Sequence, residues 1–143
     1  MNTKLYELKK NKTEFKNIKI TNSQNSADFI RQFYSDDIGI FESFFILMLN
    51  RSNTTIGYAK ISQGGTAGTV VDIKIVAKYA VDSLANSVIL AHNHPSGSLT
   101  PSAQDLEITS KIKQGLTLLE IQVLDHIILT EENYYSFADE GRI

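Results

Sequence analysis

The run Phe41–Leu49, FESFFILML, is apolar on both of its alternating faces once Glu42 and Ser43 are passed. Successive strand side chains point to opposite sides, so a run like this suits only a central strand whose two faces are both covered. The rest of the chain must supply its neighbours and its covers. Arg51-Ser52-Asn53 reads as a turn, and Thr54–Ile61 returns as a second strand before Gly64-Gly65 breaks the chain. Ser87–Ala91 reads as a short buried strand, Ile121–Leu129 as another, and Tyr134–Phe137 follows the turn Glu131-Glu132-Asn133. Asn17–Ile20 fits a short extended segment.

Between these lie three helical patterns. Ser26 is placed to cap residues 27–34, with Phe29, Ile30, Phe33 and Tyr34 on one face. From Asp72 to Leu84, Lys74, Lys78 and Asp82 make a polar stripe, while Val76, Tyr79, Ala80 and Leu84 face inward. Thr100-Pro101 opens the third helix, threonine as cap and proline as first helical residue, with Gly115 as its stop. The order predicts a mixed α+β or α/β domain, one layer of sheet with helices packed on it.

Composition narrows the chemistry. The chain has 143 residues and no cysteine, which suits one domain and removes disulfides, thiol nucleophiles and thiolate metal sites together. Any metal must sit among imidazoles and carboxylates. No long apolar run suggests a membrane span, and the start, MNTKLYELKK, lacks the apolar core of a secretory signal, so a cytoplasmic protein is expected. The net charge of −2 is uneven: residues 1–20 hold six lysines against Glu7 and Glu14, a net +4. The expected organisation is a short basic leader, residues 1–25, and one domain, residues 26–143. The leader is a solvated arm or, on a sharper reading, one that touches phosphates.

The most informative stretch is HNHPSGSLTPSAQD, residues 92–105. His92 and His94 follow a strand, and side chains two apart point the same way. Pro95 ends ladder pairing, and Gly97 lets the backbone turn. Ser102 and Asp105 then stand three apart on one helix face, continued by Ile108 and Ile112, with Gln104, Glu107 and Lys111 opposite. Two imidazoles and a carboxylate leave one tetrahedral corner for water, the catalytic pattern for zinc. Blander readings exist: the histidines as ordinary polar residues, and Ser102 with Asp105 as a helix-start box. Because Thr100-Pro101 already supplies a start, the latter two side chains are expected to be free. An HNH nuclease spreads its three residues over a larger unit, and an iron oxygenase with two histidines and a carboxylate belongs to an all-β order unlike this one.

The segment also fits H-x-H-P-x6-S-x2-D throughout and so resembles the JAB/MPN (JAMM) metalloproteases. With LDHIIL at 124–129 and YYSF at 134–137 it is similar to their RadC branch, from about Ser26 to Ile143. That branch often carries an N-terminal helix-hairpin-helix segment, in whose place a lysine-rich leader stands here, and it usually shows arginine where Lys74 lies. The resemblance implies a mixed, mostly antiparallel sheet flanked by helices, with a cytidine-deaminase-like architecture. It implies one Zn2+ per chain held by His92, His94 and Asp105, with Ser102 stabilising an oxyanion. Glu42 becomes the proton shuttle of a metallopeptidase or isopeptidase acting on a peptide or protein. Asp125 and His126 are a candidate pair for orienting a ligand, against the plainer reading of a satisfied strand pair. A different class is a non-catalytic binding or scaffold module linked to DNA repair.

Overall fold

The computed structural model describes residues 1–65 and 68–143. Its centre is a five-stranded sheet of β1 (Ser43–Leu49), β2 (Thr55–Gln63), β3 (Ser87–Asn93), β4 (Gln122–Leu129) and β5 (Tyr134–Ser136), ordered β2-β1-β3-β4-β5. All pairings are antiparallel except β3 with β4, whose crossover is the helix α3 (Ala103–Leu118). The expected mostly antiparallel α+β sheet is therefore what forms. Every residue of β1 and of β3 is buried, because two cores flank the sheet. Phe44, Ile46, Met48, Val88 and Leu90 face α3 and α2 (Ile73–Asp82), which contribute Val76, Ala80, Ile112 and Leu116. Leu47, Leu49, Ile89 and Ala91 face α1 (Ser23–Arg31) and its Ala27, Phe29 and Ile30. No helix among the described residues is long and apolar enough to cross a membrane.

Four helix boundaries differ from the sequence expectation. Asn22, not Ser26, caps α1, accepting the Asn25 N–H at 2.8 Å, while Ser26 is buried within the helix. Ser102, not Thr100, caps α3: its hydroxyl oxygen accepts the Asp105 N–H, and the Asp105 carboxylate accepts the Ser102 N–H. Both threonine and serine can cap, and the reciprocal partner three residues on decides for serine. Gly115 does not stop α3, because Leu116 one residue later is only 1% exposed and holds the helix on the core. Leu84, expected inward, is 86% exposed, since α2 ends at Asp82 and Leu84 adopts a left-handed φ of 53°. Ala85 fills the core in its place.

The leader is exposed at all six lysines. Packing begins at Phe15, whose ring lies 5.8–6.3 Å from those of Phe29, Phe33 and Tyr58, and Lys19 bridges Thr54 at the edge of the sheet.

Candidate metal centre

Register builds the site. His92 is the sixth residue of β3, paired with Phe44 on one side and Ile128 on the other, and it shares the α3-facing side with Val88 and Leu90. His94 follows the strand, its backbone N–H held by the Leu129 carbonyl at 2.8 Å. Because α3 returns over this face, Asp105 in its first turn meets both rings. The two Nε2 atoms are 2.9 Å apart. Asp105 Oδ1 lies 3.2 Å from that of His92, and Asp105 Oδ2 lies 3.1 Å from that of His94. The three groups picked out by spacing thus converge on one point.

Glu42 stands further back, with Oε1 3.8 Å from His92 Nε2 and 4.0 Å from His94 Nε2. Glu42, His92 and His94 offer ligand atoms within 4.8 Å of one another and could hold a metal ion. Asp105 is nearer to both nitrogens than Glu42 is, so the donor set contains two imidazoles with one close and one distant carboxylate. The chemistry fits a divalent cation. His94 Nδ1 lies 2.8 Å from the Ser98 carbonyl, which can only accept, so a neutral ring keeps its proton on Nδ1 and turns a bare Nε2 into the cluster, whereas a charged ring also donates from Nε2 to Asp105.

The carboxylates are tuned in opposite senses. Burial would push the Asp105 carboxyl up, but the hydrogen bonds to His92 and His94 overcome it and hold the group well below the usual range. The same Asp105 contact raises His94, against burial. Glu42 is raised, chiefly by burial, although the two histidines pull it down. The carboxylate nearest the rings stays ionised, and the one behind them holds a proton more readily than an exposed glutamate.

Glu42 is held from both sides. Asn93, wholly buried between the two histidines, accepts the Ser43 N–H at 2.7 Å and donates to the carbonyls of Ile38 (2.6 Å) and Phe41 (2.8 Å). Opposite, the Glu42 backbone pairs with Gly64 and Gly65, its carbonyl accepting the Gly64 N–H at 2.8 Å, and Gly68, at φ +133°, would bring a Cβ to 3.2 Å from Glu42 Oε2. Gly68 carried no signal in the sequence, because nothing local connects it to Glu42.

The Asp125-His126 pair divides its work. His126 Nε2 lies 2.7 Å from His92 Nδ1, so this residue does meet a candidate ligand. Asp125 does not. It accepts the Ser136 hydroxyl at 2.6 Å and the backbone N–H of Ala138 and His126, pinning β5 and the turn after it. Thr109 was not expected in the site, yet its hydroxyl oxygen lies 2.6 Å from His126 Nδ1.

Ser102 and Asp105 are not free of the helix start, as the sequence suggested; their cap and the cluster share the same atoms. Ser102 Oγ serves the cap only as an acceptor, so the hydroxyl hydrogen remains to donate elsewhere. Nor are Gln104, Glu107 and Lys111 wholly opposite Asp105. All three border, with Asp105, a cavity of about 260 Å³ that is walled by Phe44, Val71 and Ile108. Glu107 and Lys111 pair at 3.1 Å with their side chains largely exposed.

The sequence profile of the RadC-like JAB domain matches residues 20–142. A UPF0758 protein of Flavobacterium johnsoniae is 51% identical over 100 residues, 70% of this chain and 44% of the relative. Another from Porphyromonas gingivalis is 42% identical over 101 residues, again 70% and 44%. A third from Fusobacterium nucleatum is 34% identical over 138 residues, 92% of this chain and 60% of the relative. The chain thus spans about half the length of the curated relatives it matches.

Proposed function

Because this chain belongs to the RadC-like JAB domain family, we propose that it is a metal-dependent hydrolase of peptide or isopeptide bonds. In this reading His92, His94 and Asp105 hold one zinc ion. The observation that carries it is the approach of one carboxylate to two facing imidazole nitrogens, with a second carboxylate 3.8 Å from His92 Nε2. When bound, zinc supplies Lewis acidity, acidifying water and polarising a carbonyl oxygen.

The chain's own residues supply the rest. Glu42 takes up the proton that water gives at its carboxylate and delivers it to the leaving amine, a role that its raised proton affinity suits. Ser102 donates its hydroxyl hydrogen to the carbonyl oxygen as negative charge builds there. The cavity of about 260 Å³ walled by Phe44, Val71 and Ile108 has room for one substrate side chain next to the bond cleaved, and a wider cleft of about 830 Å³ runs past His94, Ser102 and Asp105. The test is hydrolysis of a peptide library by purified protein, with and without chelator. Cleavage that chelation abolishes and zinc restores is expected. Cleavage indifferent to chelator, or none by zinc-loaded protein, opposes it.

The exposed lysines of residues 1–19 favour a second reading, in which the domain serves a DNA-bound assembly without turnover. Removing residues 1–12, which leaves Phe15 in its cluster, then abolishes salt-dependent DNA binding. Equal binding, or none in either form, removes the leader from the account.

A further inference from the structure

A neutral imidazole carries one proton, and a metal can take only the other nitrogen. For His94 a carbonyl settles which nitrogen that is. His92 Nδ1 faces another imidazole, and two imidazoles can share a proton in either direction. We infer that Thr109 and His126 fix this direction, keeping the proton of His92 on Nδ1 and leaving Nε2 free for the metal.

Thr109 Oγ1 lies 2.7 Å from the Asp105 backbone carbonyl and 2.6 Å from His126 Nδ1. The carbonyl has no hydrogen, so the single hydroxyl proton points to it, a bond to the fourth residue back that helical threonines commonly make. Toward His126 the oxygen can only accept, and His126 Nδ1 therefore carries a proton. His126 is wholly buried, and neither of its nitrogens faces a carboxylate. A charged ring there would be costly, so it is neutral and its Nε2 is bare. At 2.7 Å that bare nitrogen accepts the Nδ1–H of His92. Nε2 of His92 is then left as a lone pair, 2.9 Å from that of His94 and 3.2 Å from Asp105 Oδ1. The relay runs from the backbone of Asp105 to the far side of His92, so α3 sets both the carboxylate and the imidazole tautomer. Phe44 and Phe137, flat against His92 and His126 respectively, keep the rings from turning out of line. Thr109 and His126 are positioning residues.

The chain has only three histidines, so nitrogen-15 imidazole spectra of chelator-stripped protein resolve each ring. At mildly alkaline pH the expected result is a proton on Nδ1 and none on Nε2 in all three. A proton on His92 Nε2, or a doubly protonated His126, overturns the inference. This readout needs neither metal nor turnover, so it stands apart from the hydrolase reading, which the second readout assumes only in taking His92 as a ligand. Thr109→Val is expected to weaken zinc binding about 10–100-fold in competition with a chromophoric chelator, and Thr109→Ser to restore it. Wild-type affinity in a folded Thr109→Val protein, with the His92 proton still on Nδ1, overturns the part given to Thr109. Should the valine protein not fold, the serine variant's tautomers decide, and loss of the Nδ1 proton there overturns it equally.

Discussion

Asn93 Oδ1 accepts the Ser43 N–H at 2.7 Å, which ties the residue between the two candidate ligands to the residue after Glu42. With its amide nitrogen on the Ile38 and Phe41 carbonyls, Asn93 sets the distance between Glu42 and the two histidines. Asn93→Ala strands the buried Ser43 N–H and removes the donor from the part-buried carbonyls of Ile38 and Phe41, and is expected to cost about 1–3 kcal/mol in urea unfolding. Asn93→Asp keeps the acceptor but sets a carboxyl against two carbonyls. Its folded pKa is therefore raised, so that its stability is best in acid and falls as pH rises through that pKa. An aspartate variant as stable as wild type at neutral pH would show that these contacts do not hold Glu42.

Glu42→Gln keeps the size of the side chain and its carbonyl but cannot carry the proton. Turnover should fall about 10²–10⁴-fold while zinc content stays the same, measured by peptide hydrolysis beside elemental analysis. A variant that loses its zinc would make Glu42 a ligand instead.

The parts of the site that lie close in sequence could be read before folding. His92 and His94 follow a strand, Asp105 opens the next helix, and the two-residue and helical periods bring their side chains to one side. Glu42 was found through family pattern, not geometry, because its neighbour Gly68 belongs to a loop with no period. Thr109 and His126 were harder still. Their meeting with His92 depends on the parallel register of β3 with β4, Leu90 against His126, and no local pattern states a register between strands separated by a helix. The helix ends were misplaced where two residues compete for one role, as Thr100 does with Ser102. Leu84 was misplaced because apolar periodicity continues past the point where the backbone leaves the helix.

Asp125 offers a stability test away from the metal. Its carboxyl is raised by burial, against three hydrogen bonds that favour the ion. A raised folded pKa means that ionisation opposes folding. The residue's contribution is thus fullest below the ordinary aspartate pKa and declines as pH rises through the folded one. Asp125→Asn retains the acceptor for His126 N–H and Ala138 N–H, and should remove that pH dependence, falling within about 1 kcal/mol of wild type at neutral pH. Asp125→Ala strands those donors and should cost about 3 kcal/mol. Equal stability of alanine and asparagine variants in urea titrations would contradict the assigned bonds.

His94 predicts how metal binding responds to acid. Its raised pKa means that the protonated ring, paired with Asp105, stabilises the metal-free fold below the ordinary histidine pKa and that this is lost as pH rises through the raised value. Zinc needs the same nitrogen without its proton. The rise in melting temperature on adding zinc should therefore be small near about pH 5 and grow toward about pH 8. A zinc-induced shift constant across that window would exclude His94 as a ligand.

In the proposed function, two imidazoles and one aspartate bind a single cation. Elemental analysis of protein equilibrated with zinc and then dialysed tests it most directly, for wild type and for folded His92→Ala, His94→Ala and Asp105→Ala proteins. About one zinc per wild-type chain is expected, and near none in each variant. Zinc retained at the wild-type ratio in any of the three would contradict it.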